Sequence, residues 1–198
     1  MKIDEIYEEH TEVDTMLKFA FLVNVEGATP ETYSAVYENE ESYSVIAGVD
    51  GMEAGREHLK KLVADGFALI NLCGDFDDEI TAKMLADAGE GIRISHSDYS
   101  PENLAKLNAL ESFKDYGIIV RMDGVDEPVT VSAENESCVT TAVFVNDMQQ
   151  AKAAAKALVD SGKAGFIELC SWFDRKMTEE VSSFIDGAVP IGTCGYNK

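Results

Sequence analysis

Apolar residues fall in short runs between polar stretches, and the runs follow two periods. Phe19–Val25 and Gly117–Met122 are nearly continuous apolar segments of strand length. After a polar stretch, Tyr43–Val49 and Val139–Val145 predict a second pair of strands. Then the period changes. Met52, Gly55, Leu59, Leu62 and Val63 step by threes and fours along one helical face, and Met148, Ala151, Ala155, Leu158 and Val159 repeat the steps. Asp50 with Glu53, and Asn146 with Gln149, read as helix starts. Gly66 and Gly162 read as left-handed stops. A third strand at Phe67–Cys73 and Ala164–Cys170, a second helix over about 77–88 and 174–185, and a last strand at Ile92–His96 and Val189–Cys194 complete each series.

The order recurs because the sequence itself is duplicated. Leu62-Val63-Ala64-Asp65-Gly66 through Ile70-Asn71-Leu72-Cys73-Gly74-Asp75-Phe76-Asp77 returns as Leu158-Val159-Asp160-Ser161-Gly162 through Ile167-Glu168-Leu169-Cys170-Ser171-Trp172-Phe173-Asp174. Glu38-Asn39-Glu40 returns as Glu134-Asn135-Glu136, and Val23, Gly27, Thr81 and Ile94 as Val120, Gly124, Thr178 and Ile191. Two copies of one unit are therefore expected, at residues 17–97 and 115–198. An N-terminal helix is expected within 1–16, and a linking helix within 98–114 that opens on Ser100 as cap and Pro101 at its first position. Alternating strands and helices with short connections predict an α/β fold. The expected form is two tandem ββαβαβ-type repeats with mostly parallel strands in a pseudo-twofold arrangement. A small closed eight-stranded α/β barrel is the alternative.

The strongest candidate site is the end of the third strand. A buried parallel strand should read as continuous aliphatics. Asn71 and Glu168 break that pattern at matching positions, each two residues before a cysteine, Cys73 and Cys170. Ligands of α/β folds gather at the carboxyl ends of strands. Asn71, Cys73, Gly74, Glu168, Cys170, Ser171 and Trp172 are therefore candidate ligand-binding residues, and Cys170, Cys73, Glu168 and His96 candidate catalytic ones. Buried cysteines often simply fill space, and Asp75, Asp77, Asp78 and Glu79 would raise the pKa of Cys73. Trp172, in the place of Asp75, is read either as a pocket wall or as core. Glu38, Glu40, Glu134 and Glu136 are weak candidates for a hard cation, against a plain solvated loop. His10, His58 and His96 stand singly, His58 on an exposed helix position, and no zinc spacing is present. GxGxxG, GxxxxGK[ST], GxSxG and HExxH are all missing.

Composition narrows the classes further. At 198 residues, 45% hydrophobic, with nine Phe and seven Tyr, the chain can build a core. Sixteen Lys+Arg against 37 Asp+Glu give a net charge of −21, which disfavours nucleic acid and anionic membranes as partners. A salt-adapted host would also account for that charge. Met1–Ile6 is acidic and unlike a secretion signal, and no apolar stretch reaches the roughly 20 residues of a membrane span. Cys73, Cys138, Cys170 and Cys194 form no CxxC pair and read as reduced thiols in a cytoplasm.

The run Leu62-Val63-x-x-Gly66 followed by Ile70-x-Leu72-Cys73-Gly74-x-Phe76 resembles the "GVxxIELCGxFG" signature of a family of short bacterial and archaeal α/β proteins of unknown function. Residues 17–97 match it, and 115–196 match less well, with Ser171 in place of the glycine. The resemblance implies an architecture: single-unit relatives that associate as dimers, here fused into one chain. On these grounds a small-molecule binding protein is expected, with no cofactor and with a homo-oligomer left open. A cysteine- or carboxylate-dependent enzyme at the same edge, and a structural or interaction protein without a site, are the alternatives.

Overall fold

The computed structural model describes residues 16–197; the expected N-terminal helix over 3–15 lies outside them. The first repeat runs β1 (Leu17–Asn24), β2 (Ser34–Glu38), β3 (Ser42–Val49), α1 (Met52–Ala64), β4 (Leu69–Leu72), α2 (Asp78–Ala88) and β5 (Arg93–His96). A short strand β6 (Asp98–Tyr99) and α3 (Pro101–Asn108) lead into the second. There β7 (Asp115–Arg121), β8 (Val129–Glu134), β9 (Val139–Val145), α4 (Met148–Asp160), β10 (Phe166–Leu169), α5 (Arg175–Phe184) and β11 (Ile191–Thr193) restate the first series.

Each repeat makes its own open sheet. The first has the order β2-β3-β1-β4-β5; the second has β8-β9-β7-β10-β11, with β6 added antiparallel at the outer edge. Within each repeat the strands are parallel except β2 and β8, which run antiparallel to β3 and β9. Two open sheets, rather than a closed barrel, are the architecture. β2 and β8 fall in what the sequence presents as polar stretches. Both are edge strands with mostly exposed side chains, so they carry little of the apolar alternation that marks a strand.

The central strands are apolar because they are covered. Phe19, Phe21, Leu22, Ile70 and Leu72 in the first sheet, and Ile118, Ile119, Ile167 and Leu169 in the second, are buried. Each such side chain contributes about 1.5–3 kcal/mol by leaving water. Helices α1 and α4 end as expected. Gly66 and Gly162 take φ of +87° and +68°, and the amides of Phe67 and Lys163 return to the carbonyls of Leu62 and Leu158.

The helix starts differ from expectation. The residue preceding α1 is Gly51, whose amide donates to the Asn24 side chain, while Asp50 accepts from the Gly27 amide. In α4 the cap is Asp147, not Asn146, and it accepts from the Gln150 amide. The linking helix is also shorter than 98–114. After Asn108 the chain leaves the helix, and residues 109–114 cross to β7.

The repeats are pinned together by reciprocal bonds. Asn39 donates to the Asp123 carbonyl, and its counterpart Asn135 donates to the Glu26 carbonyl, both near 3.0 Å. The same two side chains accept from the amides of Glu41 and Ser42, and of Ser137 and Cys138. Asn therefore explains the repeated Glu-Asn-Glu. The flanking Glu38, Glu40, Glu134 and Glu136 are exposed, and among the described residues no group of three or more His, Cys, Asp and Glu could hold a metal ion. On the pseudo-twofold axis, Ser97 Oγ meets its own counterpart, Cys194 Sγ, at 3.3 Å.

Candidate functional site

Asn71 and Glu168 occupy equivalent positions, beside Ser95 on β5 and Gly192 on β11. Both are buried, and both reach across to the other repeat. Asn71 Oδ1 accepts from the Ser171 amide at 2.8 Å, and Glu168 Oε1 accepts from the Gly74 amide at 3.0 Å. The residues that interrupt the aliphatic pattern are thus a matched pair of inter-repeat pins.

From that shared frame the two copies diverge. Asn71 is short and neutral, and its Nδ2 donates to Ser95 Oγ within its own sheet. Glu168 is longer, and three neighbours differ to suit it. Gly74 stands opposite it where Ser171 stands opposite Asn71; a Cβ at Gly74 would lie 3.0 Å from Glu168 Oε1 and 3.2 Å from the Tyr99 ring. Gly192 replaces Ser95, and Tyr99 lies across it so closely that a Cβ there would sit 2.6 Å from the ring. Tyr116 replaces Phe19 at the same register point, beside Phe166 where Phe19 lies beside Leu69. Tyr99 donates its hydroxyl to Glu168 Oε1 at 2.6 Å, and Tyr116 donates to Oε2.

Glu168 is 2% exposed and, among the described residues, has no cationic partner. Burial pushes its pKa up, and the donors Tyr116, Tyr99, Gly74 and Ser97 hold it back without cancelling the rise. The same burial and the nearby carboxylate push the Tyr99 and Tyr116 hydroxyls well above the ordinary phenol range. Both are therefore neutral donors at physiological pH.

This group forms part of the wall of a cavity of about 520 Å³. One wall is the carboxyl end of the first sheet, with Asn24, Val25, Glu26, Cys73, Gly74 and Asp75. The other is the amino-terminal end of the second sheet, with Tyr116, Ser137, Cys138 and Phe166. The linker closes it with Leu107, Ser112, Phe113 and Lys114. Phe166 stacks on Tyr116 at 4.6 Å, and Phe113 meets Phe166 edge-on at 5.7 Å.

The residues singled out in the sequence divide into two groups. Cys73, Gly74 and Glu168 meet at this cavity. Asn71 is an inter-repeat pin, while Ser171 and His96 line a separate cavity of about 470 Å³. There His96 Nδ1 lies 3.1 Å from Thr81 Oγ1, and Nε2 lies 3.4 Å from Asp98. Cys170 is buried and accepts from the Arg121 amide at 3.3 Å. Trp172 packs edge-on to Phe173 beneath the Arg121 guanidinium, away from the Glu168 cavity. His58 is half-buried rather than exposed, and burial lowers its pKa. Cys73 accepts from the Asn24 amide at 3.2 Å; burial, then Glu168 and Asp75, push its thiol well above the ordinary range. Tyr99, Tyr116, Phe113 and Lys114 were not evident from the strand pattern, whereas alternation along the strand puts Phe166 on the face of Glu168. The signal that could have found Tyr116 is its departure from the first copy.

A duplicated α/β protein with an asymmetric cavity between its copies is the class that fold and site define. The chain belongs to a family of unknown function, DUF6506, which matches residues 17–112 and again 114–198. No curated protein matches it. Among solved structures it is similar to a carbohydrate transporter from Acidothermus cellulolyticus 11B in complex with myo-inositol. That likeness has 10% identity over 90% of this chain and 73% of the other, with a TM-score of 0.29. A Mycobacterium smegmatis protein in complex with β-D-fucofuranose gives 11%, 89%, 72% and 0.25. At these values the likenesses carry no argument. Among the described residues no helix is long and apolar enough to cross a membrane.

Proposed function

We propose that the protein binds a small organic molecule in the cavity between its repeats, with Glu168 as the polar anchor. One observation carries the reading. The second copy departs from the first at Tyr116, Glu168 and Gly192, and the changes together bring a buried carboxyl and two tyrosine hydroxyls to one cavity. Pinning the repeats needs only the amide bond that Asn71 also makes. A cavity of this size, mostly apolar with a few convergent polar groups, suits a small-molecule site. Gly74 and Cys73 would form its wall, with the Cys73 thiol protonated and unreactive.

A carboxyl-dependent enzyme at this cavity is the second reading. It is favoured over a cysteine-dependent one because burial raises Glu168 toward the range of a general acid–base, while the same surroundings hold Cys73 in its inert form. Ligand screening by thermal shift tests the binding reading, using the native protein and a Ser137→Trp variant. Ser137 is an exposed residue at the cavity mouth. Compounds that stabilise the native protein and lose that effect in the variant support the site. Stabilisation that survives the tryptophan, or none from any compound, overturns it.

A further inference from the structure

The groups around the cavity also define a ligand class. The cavity brings together three carboxyls, Glu26, Asp75 and Glu168, against a single cation, Lys114. Lys114 is exposed, where water and salt screen it. Glu168 is buried, where a charge is felt strongly, and none of the described residues offsets it with an ion pair. Tyr99 and Tyr116 spend their only hydroxyl protons on Glu168, so each has only lone pairs left to offer. The polar side of the cavity is therefore rich in acceptors and negative. Its other side is aromatic, with Phe113, Phe166 and the Tyr116 ring in contact with one another. Such a side suits a flat apolar body, which packs against ring faces and edges.

We propose that the occupant is a small organic ammonium ion with a flat apolar body. Its charged end lies against Glu168 and the Tyr99 and Tyr116 oxygens, and its body lies among Phe113, Phe166 and Leu107. This rests on the cavity being a binding site. An ammonium provides donors to the Glu168, Tyr99 and Tyr116 oxygens, and supplies the positive charge that the buried carboxyl lacks. A carboxylate ligand would bring a second negative charge to the same point. A neutral alcohol would satisfy the oxygens but leave Glu168 unpaired.

Calorimetric titration with three probes of one shape tests this: 2-phenylethylammonium, 2-phenylethanol and phenylacetate, each against the native protein, Glu168→Gln and Asp75→Asn. The ammonium is expected to bind about tenfold more tightly than the alcohol, and phenylacetate more weakly than either. In Glu168→Gln the preference for the ammonium falls to within about threefold, while a single cooperative thermal unfolding transition reports an intact fold. In Asp75→Asn, at the rim, the preference falls less and the fall shrinks as salt is raised. An alcohol or carboxylate that binds the native protein as tightly as the ammonium overturns the charge assignment and leaves the binding site standing, provided Ser137→Trp abolishes that binding. Failure of the ammonium to bind at millimolar concentration overturns the assignment as well. An ammonium preference that persists in Glu168→Gln overturns it too.

Discussion

Glu168 holds its place through donors alone, and that makes its titration the most informative residue-level property of the protein. Its folded pKa is raised above the ordinary 4.5, with burial as the main cause. A carboxyl raised on folding adds stability that is fully present below its unfolded pKa and is lost as pH rises through the folded one. The stability of the native protein relative to Glu168→Gln should therefore decline as pH increases above about 4.5. Thermal unfolding of the two proteins side by side across neutral pH measures it, and a difference that grows with pH would contradict the burial argument. Tyr116→Phe restores the residue of the first copy and deletes one donor to this carboxyl. Its expected loss is about 1.5–3 kcal/mol in denaturant unfolding, the range for a hydrogen bond to a charged group. At this scale the sequence was partly legible. Glu168 and Asn71 were visible because they break an aliphatic run, and the cysteine beside each drew attention to the same place. That the break is a pin between repeats was invisible, because the amides that satisfy it lie about a hundred residues away.

At the scale of elements, the helices and central strands follow from periodicity because their burial is one-sided or complete. Edge strands β2 and β8 escape it, as their outward positions are solvated and the inward ones are few. The helix caps show how local motifs mislead. Asp50 has the spacing of a cap for α1, yet its carboxylate accepts from the Gly27 amide and α1 starts without a side-chain cap, the Gly51 amide before it donating to Asn24. For α4, spacing pointed to Asn146, and the bond belongs to Asp147. Asp147→Ala should therefore lower stability by about 1 kcal/mol. Asn146→Ala should be close to neutral, since no cap bond comes from its side chain. Equal losses in the two variants would mean that the cap lies where spacing placed it. The linker is the other element whose role was not legible. Its helix stops at Asn108, and the non-helical residues 112–114 close the cavity.

Across the whole molecule, duplication explains most of the fold and departure from duplication explains the site. Asn39 and Asn135 make the same bond in both directions, and so do Asn71 and Glu168. The differences come in matched sets across the interface: a long Glu168 faces Gly74, and a short Asn71 faces Ser171. Coupling follows. Gly74→Ser should destabilise the native protein by about 1–3 kcal/mol through overpacking against Glu168 and Tyr99. In a Glu168→Asn background, which recreates the Asn71–Ser171 pair, the same change should lose at least about 0.5 kcal/mol of that effect. Strict additivity in this double-mutant cycle would separate the two sites and undo the matched-set argument. Tyr116 and Gly192 are legible in the sequence as departures from Phe19 and Ser95 of the first copy. Tyr99 and Phe113 have no such signature: Tyr99 matches Tyr196 of the second copy, and Phe113 reaches the cavity only through the path of the linker.

In the proposed function one buried carboxyl, Glu168, anchors a ligand between the repeats. Carbon-13 NMR of its carboxyl, assigned through Glu168→Gln and followed against pH with and without 2-phenylethylammonium, tests that role at the atom concerned. The carboxyl of the free protein should titrate above 4.5 and move downward when the ammonium binds, because a neighbouring positive charge favours the ionised form. A carboxyl that titrates at its ordinary value, or one unmoved when the ammonium is bound, would contradict it.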